Sequence, residues 1–167
     1  EMEMVLGETQ LSTVSYVAAA INSELEERLR ALTSVAETIS PDLLARPADL
    51  NEFLAKRPVF QAMFNAGTFV TRTAGIIIVA QPSSLPRLGV DVSDREHIVA
   101  ALKDGKATIG KPRIGAVLKS PLFVMTAPIR DASGTVIGTL SGVTDLGQPN
   151  FLDKFTSSHY GKTGGYL

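Results

Sequence analysis

The hydrophobic pattern changes period along the chain, and the change divides it. From about residue 7 to residue 39 no proline interrupts, and Leu11, Val14, Ala18, Ile21, Leu25, Leu32, Val35 and Ile39 recur at alternating three- and four-residue spacing. That spacing predicts one long amphipathic helix of roughly 30 residues, on the order of 45 Å. A stripe of this length either lies along one sheet or meets a partner helix, and the pattern alone leaves both open. Ser40-Pro41-Asp42 then restarts the chain, with serine as N-cap and proline at the first helical position, so a short helix follows through Leu43 and Leu44. Residues 47–56 predict another helix with Leu50, Phe53 and Leu54 on its apolar face, which Pro58 stops before the run 59–64.

Beyond this point the period falls to two. Residues 69–72 and 76–81 flank Thr73-Ala74-Gly75 and give the first hairpin signal. Ile76 to Val79 is β-branched and apolar on both faces, as in the middle of a sheet. Strand-like pieces follow at 107–110 and 113–118, broken by Lys111-Pro112. The clearest strands are 122–130 and 136–144, joined by the turn Asp131-Ala-Ser-Gly134. Asn150 is placed to cap a short helix over 151–155. The resulting order predicts an α+β fold: a long N-terminal helix and short helices packed to one side of an antiparallel sheet of about five strands. It lacks the strand and helix alternation of a nucleotide-binding parallel sheet.

Between the hairpin and the later strands, one stretch combines helix-start chemistry with convergent polar side chains. Ser93 and Glu96 have the S-x-x-E spacing of a capping box, which predicts a helix starting at Asp94. Ile98, Ala101 and Leu102 would turn one face of it to a core, and Gly105 would stop it in the left-handed region. Asp91, Asp94, Arg95 and His97 then gather near the helix start. A guanidinium and an imidazole beside free backbone N–H groups suit a carboxylate or phosphate. Alternatively, Arg95 pairs with Asp91 or Asp94 and pins a loop. Lys111, Arg113, Lys119 and Arg130 give the later strands a basic character, which either rings an anion pocket or solvates the sheet edge.

Composition narrows the function classes. The chain has 167 residues, enough for one full core, with 44% hydrophobic and 20% charged residues. A formal net charge of −1 without a long basic run argues against nucleic acid as a partner. There is no cysteine, so disulfides, thiolate metal sites and cysteine nucleophiles are all excluded. Only His97 and His159 are histidines, far apart and without carboxylate pairs, so neither a metal nor a cofactor is expected. Gly161-Lys162-Thr163 fails as a phosphate loop, because Thr156 stands where that motif needs glycine. No serine has a nucleophile-elbow context, and an enzyme is not expected. No uncharged apolar run reaches membrane-spanning length. The first and last residues read as cut from a larger chain.

As an ordered set, the long leading helix, Phe69-Val-Thr-Arg-Thr-Ala-Gly75-Ile, Val92-Ser-Asp94-Arg95-Glu-His97, Ile109-Gly-Lys-Pro112 and Ala127-Pro-Ile-Arg-Asp-Ala-Ser-Gly-Thr-Val-Ile-Gly138 resemble the double Cache sensor domain of bacterial membrane receptors. The resemblance implies a PAS-like, extracytoplasmic, membrane-distal module that binds a small molecule. The parent would be anchored in the inner membrane and signal to a chemoreceptor, histidine kinase or diguanylate cyclase output. The Asp94-Arg95-Glu96-His97 version looks most like sensors attached to cyclic-dinucleotide enzymes. Residues 1–40 would form the signalling and dimerisation helix, 41–157 the module, and 158–167 the start of a membrane-proximal module. Arg95 matches the arginine of the amino-acid-binding branch, but His97 stands where that branch has tryptophan, Ile98 where it has tyrosine, and Val143 or Thr144 near its aspartate. A carboxylate ligand is therefore expected rather than an α-amino acid. The expected ligand-binding set is Arg95, His97, Asp94, Asp91, Arg113, Lys111, Phe123 and Met125, and a homodimer through the first helix is the expected protein partner. The alternative is a dimerisation or structural module with a vestigial pocket.

Overall fold

A computed structural model describes residues 2–114 and 120–153, with side chains from residue 16 onward. The expected strand end at 115–118, the helix end at 154–155 and the expected start of a membrane-proximal module at 158–167 lie outside the described residues. The chain forms two compact units, one of Glu1–Arg28 with Asn150–Leu167, the other of Leu29–Pro149. Helix α1, Met2–Glu37, is 36 residues long and contributes to both. Within the first unit Arg28 Nη1 donates to Glu24 Oε2 at 2.7 Å, and its guanidinium lies 3.8 Å from the Phe151 ring centroid. Asn150 Oδ1 accepts from the Leu152 N–H while the Asp153 carboxylate accepts from the Asn150 N–H, a reciprocal cap.

The second unit holds the sheet. Helix α2, Pro41–Leu44, begins where the sequence places it: the Ser40 hydroxyl accepts from the Leu43 N–H and Pro41 sits in the first turn. Helices α3, Pro47–Ala55, and α4, Pro58–Ala62, also open on proline. The strands are β1 Thr68–Arg72, β2 Ile77–Gln81, β3 Thr108–Ile109, β4 Arg113–Ile114, β5 Pro121–Arg130 and β6 Val136–Asp145. Helix α5, Glu96–Asp104, lies between β2 and β3 in sequence. The sheet is antiparallel throughout, in the order β2-β1-β6-β5-β3, with β4 pairing the outer part of β5. The antiparallel sheet of about five strands is present, with six strands among the described residues, because the basic stretch forms two short ladders on the edge of β5.

Strand alternation separates two faces. One carries Phe123, Met125, Ala127 and Ile129 of β5 and Leu140 of β6, and it lies under α2–α4. Gly142 of β6 makes that approach possible, since a Cβ there would lie 2.4 Å from the Phe64 ring, while at Gly138 a Cβ would meet the Thr71 carbonyl oxygen of β1 at 2.3 Å. Arg72 Nη2 donates to the Leu44 carbonyl, and Gln81 Nε2 to Asn51 Oδ1 at 2.5 Å, on the same side. The other face carries Leu122, Val124 and Thr126 of β5 with Ser141 and Val143 of β6. Ile98, Val92, Phe69 and Ala80 complete its apolar cluster. Helix α5 covers this face, so the helices sandwich the sheet instead of packing to one side. The sequence does not reveal this, since β5 is apolar on both faces and α5 is short.

Candidate functional site

Helix α5 is amphipathic over nine residues and buries His97, Ile98 and Ala101 against β5 and β6. Gly105 ends it at φ +63°, as expected, and the last turn is closed by the Lys106 N–H donating to the Ala100 carbonyl. Its start departs from expectation. The Ser93 hydroxyl and N–H both donate to Asp91 Oδ1, at 2.6 and 2.9 Å, so no capping box forms with Glu96. The helix begins at Glu96, with Arg95 as an N-cap that contributes no side-chain bond. The two bonds from Ser93 also hold the Asp91 carboxyl below its usual range.

The hydroxyl of Thr126 reaches α5 from the sheet. His97 Nδ1 lies 2.8 Å from Thr126 Oγ1, which lies 2.8 Å from Ser141 Oγ on the neighbouring strand. Thr126 and Ser141 are register partners, both fully buried, and His97 is only 7% exposed. Burial first, then the charges of Arg113 and Arg95, push the imidazole down to about 4, so it is neutral near pH 7. The other ring edge faces Gly110, where a Cβ would meet His97 Cδ2 at 2.9 Å. That glycine lets the strand backbone close on the ring, as its N–H donates to the Val124 carbonyl.

A cavity of about 330 Å³ opens here, lined by Glu96 and His97 of α5 and by Gly110, Lys111, Pro112, Arg113 and Ile114. Among the described residues neither Lys111 nor Arg113 has a carboxylate within 4.0 Å. The cavity wall therefore carries two cations without a carboxylate partner among the described residues, beside a neutral imidazole, with exposed Glu96 also in the lining. Such a wall attracts an anion and offers it several N–H donors.

The structure brings His97, Lys111 and Arg113 together at this cavity. Arg95 sits at the helix start next to it, without lining it, and its guanidinium approaches Asp94 Oδ1 only to 4.0 Å. Asp94 is 79% exposed, so that pair is a weak pin of about 0–1 kcal/mol. Asp91 is occupied by Ser93. Phe123 and Met125 are on the strand behind the cavity but point to its opposite face, into the core under α4. Thr126 and Ser141 were not among the expected site residues. Their signal was a hydroxyl in the middle of each long apolar strand, LFVMTAPI and VIGTLSGV, where a polar group needs a buried partner.

No protein-family model matches the chain, and no curated protein sequence matches it. Solved structures do. The ligand-binding domain of the Pseudomonas aeruginosa PAO1 amino acid chemoreceptor PctB, in complex with L-Arg, superposes with a TM-score of 0.66 at 22% identity, over 80% of this chain and 50% of that one. The ligand-binding domain of the Pseudomonas fluorescens chemoreceptor CtaA, in complex with L-serine, gives 0.66 at 19%, over 80% and 56%. An extracellular ligand binding receptor from Desulfohalobium retbaense DSM5692 gives 0.66 at 19%, over 87% and 26%. The chain thus spans about half the length of the chemoreceptor domains it matches. These likenesses carry the architecture: the chain has the fold of the ligand-binding domains of these chemoreceptors.

Proposed function

We propose that this chain is the extracytoplasmic sensing part of a bacterial transmembrane signalling receptor, and that it binds a small anionic metabolite, without turnover, between α5 and the Gly110–Ile114 segment. The observation that carries the reading is the pair Lys111 and Arg113, two cations without carboxylate partners among the described residues, lining one cavity with a buried neutral histidine. The fold supports it, since structures of this architecture hold L-Arg, L-serine and GABA, each with a carboxylate. In the parent, residues 41–157 form the sensing module, and residues 1–40 carry its state toward a cyclase, kinase or chemotaxis output. Helix α1, 36 residues long, is the proposed seam of a homodimer, which Ile21→Glu should weaken in sedimentation while the sheet unit stays folded.

The test is a thermal-melt panel of small mono- and dicarboxylates and L-amino acids. A ligand at about 100 times its Kd raises stability by roughly 2.7 kcal/mol, readable as an upward shift. Loss of one charged donor costs a bound carboxylate about 1.5–3 kcal/mol, so Arg113→Ala should lower affinity by about tenfold or more. A panel with no shift, or a shift that survives Lys111→Ala combined with Arg113→Ala, rejects this site.

A further inference from the structure

The hydroxyl chain behind His97 fixes which ring nitrogen bears the proton. Ser141 Oγ has one hydrogen-bond partner among the described residues, Thr126 Oγ1, and Thr126 has two, Ser141 Oγ and His97 Nδ1. Both hydroxyls are fully buried, and neither is left without a bond. Each carries one proton. If His97 Nδ1 donated to Thr126, then Thr126 would donate to Ser141, and the Ser141 proton would have no acceptor. A buried unsatisfied hydroxyl of that kind is costly. In the opposite direction every proton is used: Ser141 donates to Thr126, Thr126 donates to Nδ1, and Nδ1 accepts. The proton of the neutral ring is then on Nε2. That atom has no protein partner among the described residues and keeps some solvent exposure. It belongs to a ring that lines the cavity.

We propose that the Ser141–Thr126 relay holds His97 as a fixed Nε2–H donor to the cavity, so that a ligand must place an unprotonated acceptor against it, as a carboxylate oxygen does and an ammonium cannot. The inference rests on the cavity being the ligand site, and it adds to the cations a neutral donor that selects by hydrogen-bond sense. Lys111 and Arg113 draw any anion by charge; His97 tests what its atoms offer. Thr126 and Ser141 act as positioning residues through the ring. Among the described residues, the charged groups around the imidazole are Arg95 and Glu96 at the start of α5 and Lys111 and Arg113 from the strand side. The β5 and β6 residues next to the ring, Val124, Thr126 and Ser141, present hydroxyls and an apolar group, and buried Asp145 lies at the far end of β6.

The tautomer can be read without any ligand. Two-bond proton–nitrogen correlation spectra of protein with 15N-labelled histidine, assigned with His159→Gln, should show His97 Nε2 protonated and Nδ1 bare at neutral pH. In Thr126→Val the Nδ1 resonance should move further toward that of an unbonded ring nitrogen. A proton on Nδ1 in the wild type, or an Nδ1 resonance indifferent to Thr126→Val, overturns the relay. Sodium acetate and methylammonium chloride at matched ionic strength then probe the ligand side. Acetate should shift the Nε2 resonance saturably and methylammonium should not. His97→Gln, which keeps an amide donor near the Nε2 position, should retain most of the acetate affinity read from Gly110 and Arg113 amide shifts, and His97→Asn should lose it. No saturable acetate shift, or equal affinity in both variants, overturns the acceptor requirement. A flat carboxylate melting panel with the Nε2–H tautomer intact would instead count against the sensing reading alone.

Discussion

The two faces of the β5–β6 pair are built from the same strands and solve different problems. On the face under α4, Phe123, Met125 and Leu140 are buried, and bare Gly142 on β6 lets Phe64 settle onto the backbone. On the face under α5, Thr126 and Ser141 pass a hydrogen-bond chain to His97, and the helix stands off far enough at its start to leave a cavity. The first face is closed by shape and tolerates no side chain at Gly142. The second is closed by hydroxyls and keeps polar atoms at the cavity. Residues one position apart on β5 therefore sit in different settings, Met125 in the apolar core and Thr126 in the hydrogen-bond chain behind His97.

The largest effect that tests this division is Met125→Ala. Truncating a fully buried methionine should cost about 2–5 kcal/mol in urea unfolding, while leaving carboxylate-induced melting shifts of similar size. A mild cost combined with lost ligand response would place Met125 at the cavity and undo the assignment of faces.

Acid should act on the other face. His97 ionises near 4 in the folded protein against 6.5 for the free group, so between those pH values the unfolded chain binds the extra proton. Stability is thus fully present above about pH 6.5 and falls as pH drops toward 4, by on the order of 3 kcal/mol for this group. The slope should flatten in His97→Gln, measured by urea midpoints across that window; an unchanged slope would mean that the ring is not buried neutral.

Arg113→Ala should give the smallest change. Burial is the first cause of the depressed His97 ionisation and Arg113 the second, so removing the exposed guanidinium should raise the titration midpoint while leaving it below 6.5. A return to 6.5 in an NMR titration would make charge, not burial, the dominant cause.

Much of the architecture could be read from the chain. Ser40-Pro41 fixed a helix start because both signals act within four residues, and the β5–β6 hairpin was legible from its length and its Asp131 to Gly134 turn, where Asp131 accepts from Ser133 and Thr135. The start of α5 was not, because two local motifs competed for one backbone N–H. Ser93 satisfies the S-x-x-E spacing, yet Asp91 lies two residues away and accepts the Ser93 N–H that Glu96 would have to bind, and the helix begins only at Glu96. Phe123 and Met125 were placed on the right strand with no information about phase. In a strand apolar on both faces, only the partner's register tells which residues share a side. Lys111 and Arg113 were legible as basic edge residues, but their separation from carboxylates is a tertiary fact.

The far end of α5 has a mechanical consequence. Arg130 Nη2 donates to the Gly105 carbonyl at 2.6 Å and its Nη1 to the Gly134 carbonyl at 3.0 Å, so one guanidinium fastens the helix terminus to the β5–β6 hairpin. At the opposite terminus Arg95 provides no side-chain cap. The helix is still tied to the sheet at both ends, by the Arg130 guanidinium at Gly105 and by the His97–Thr126 bond and buried Ile98 in its first turn. A displacement of its start would load β5 and β6 in mid-strand, and a displacement of its end would load their hairpin.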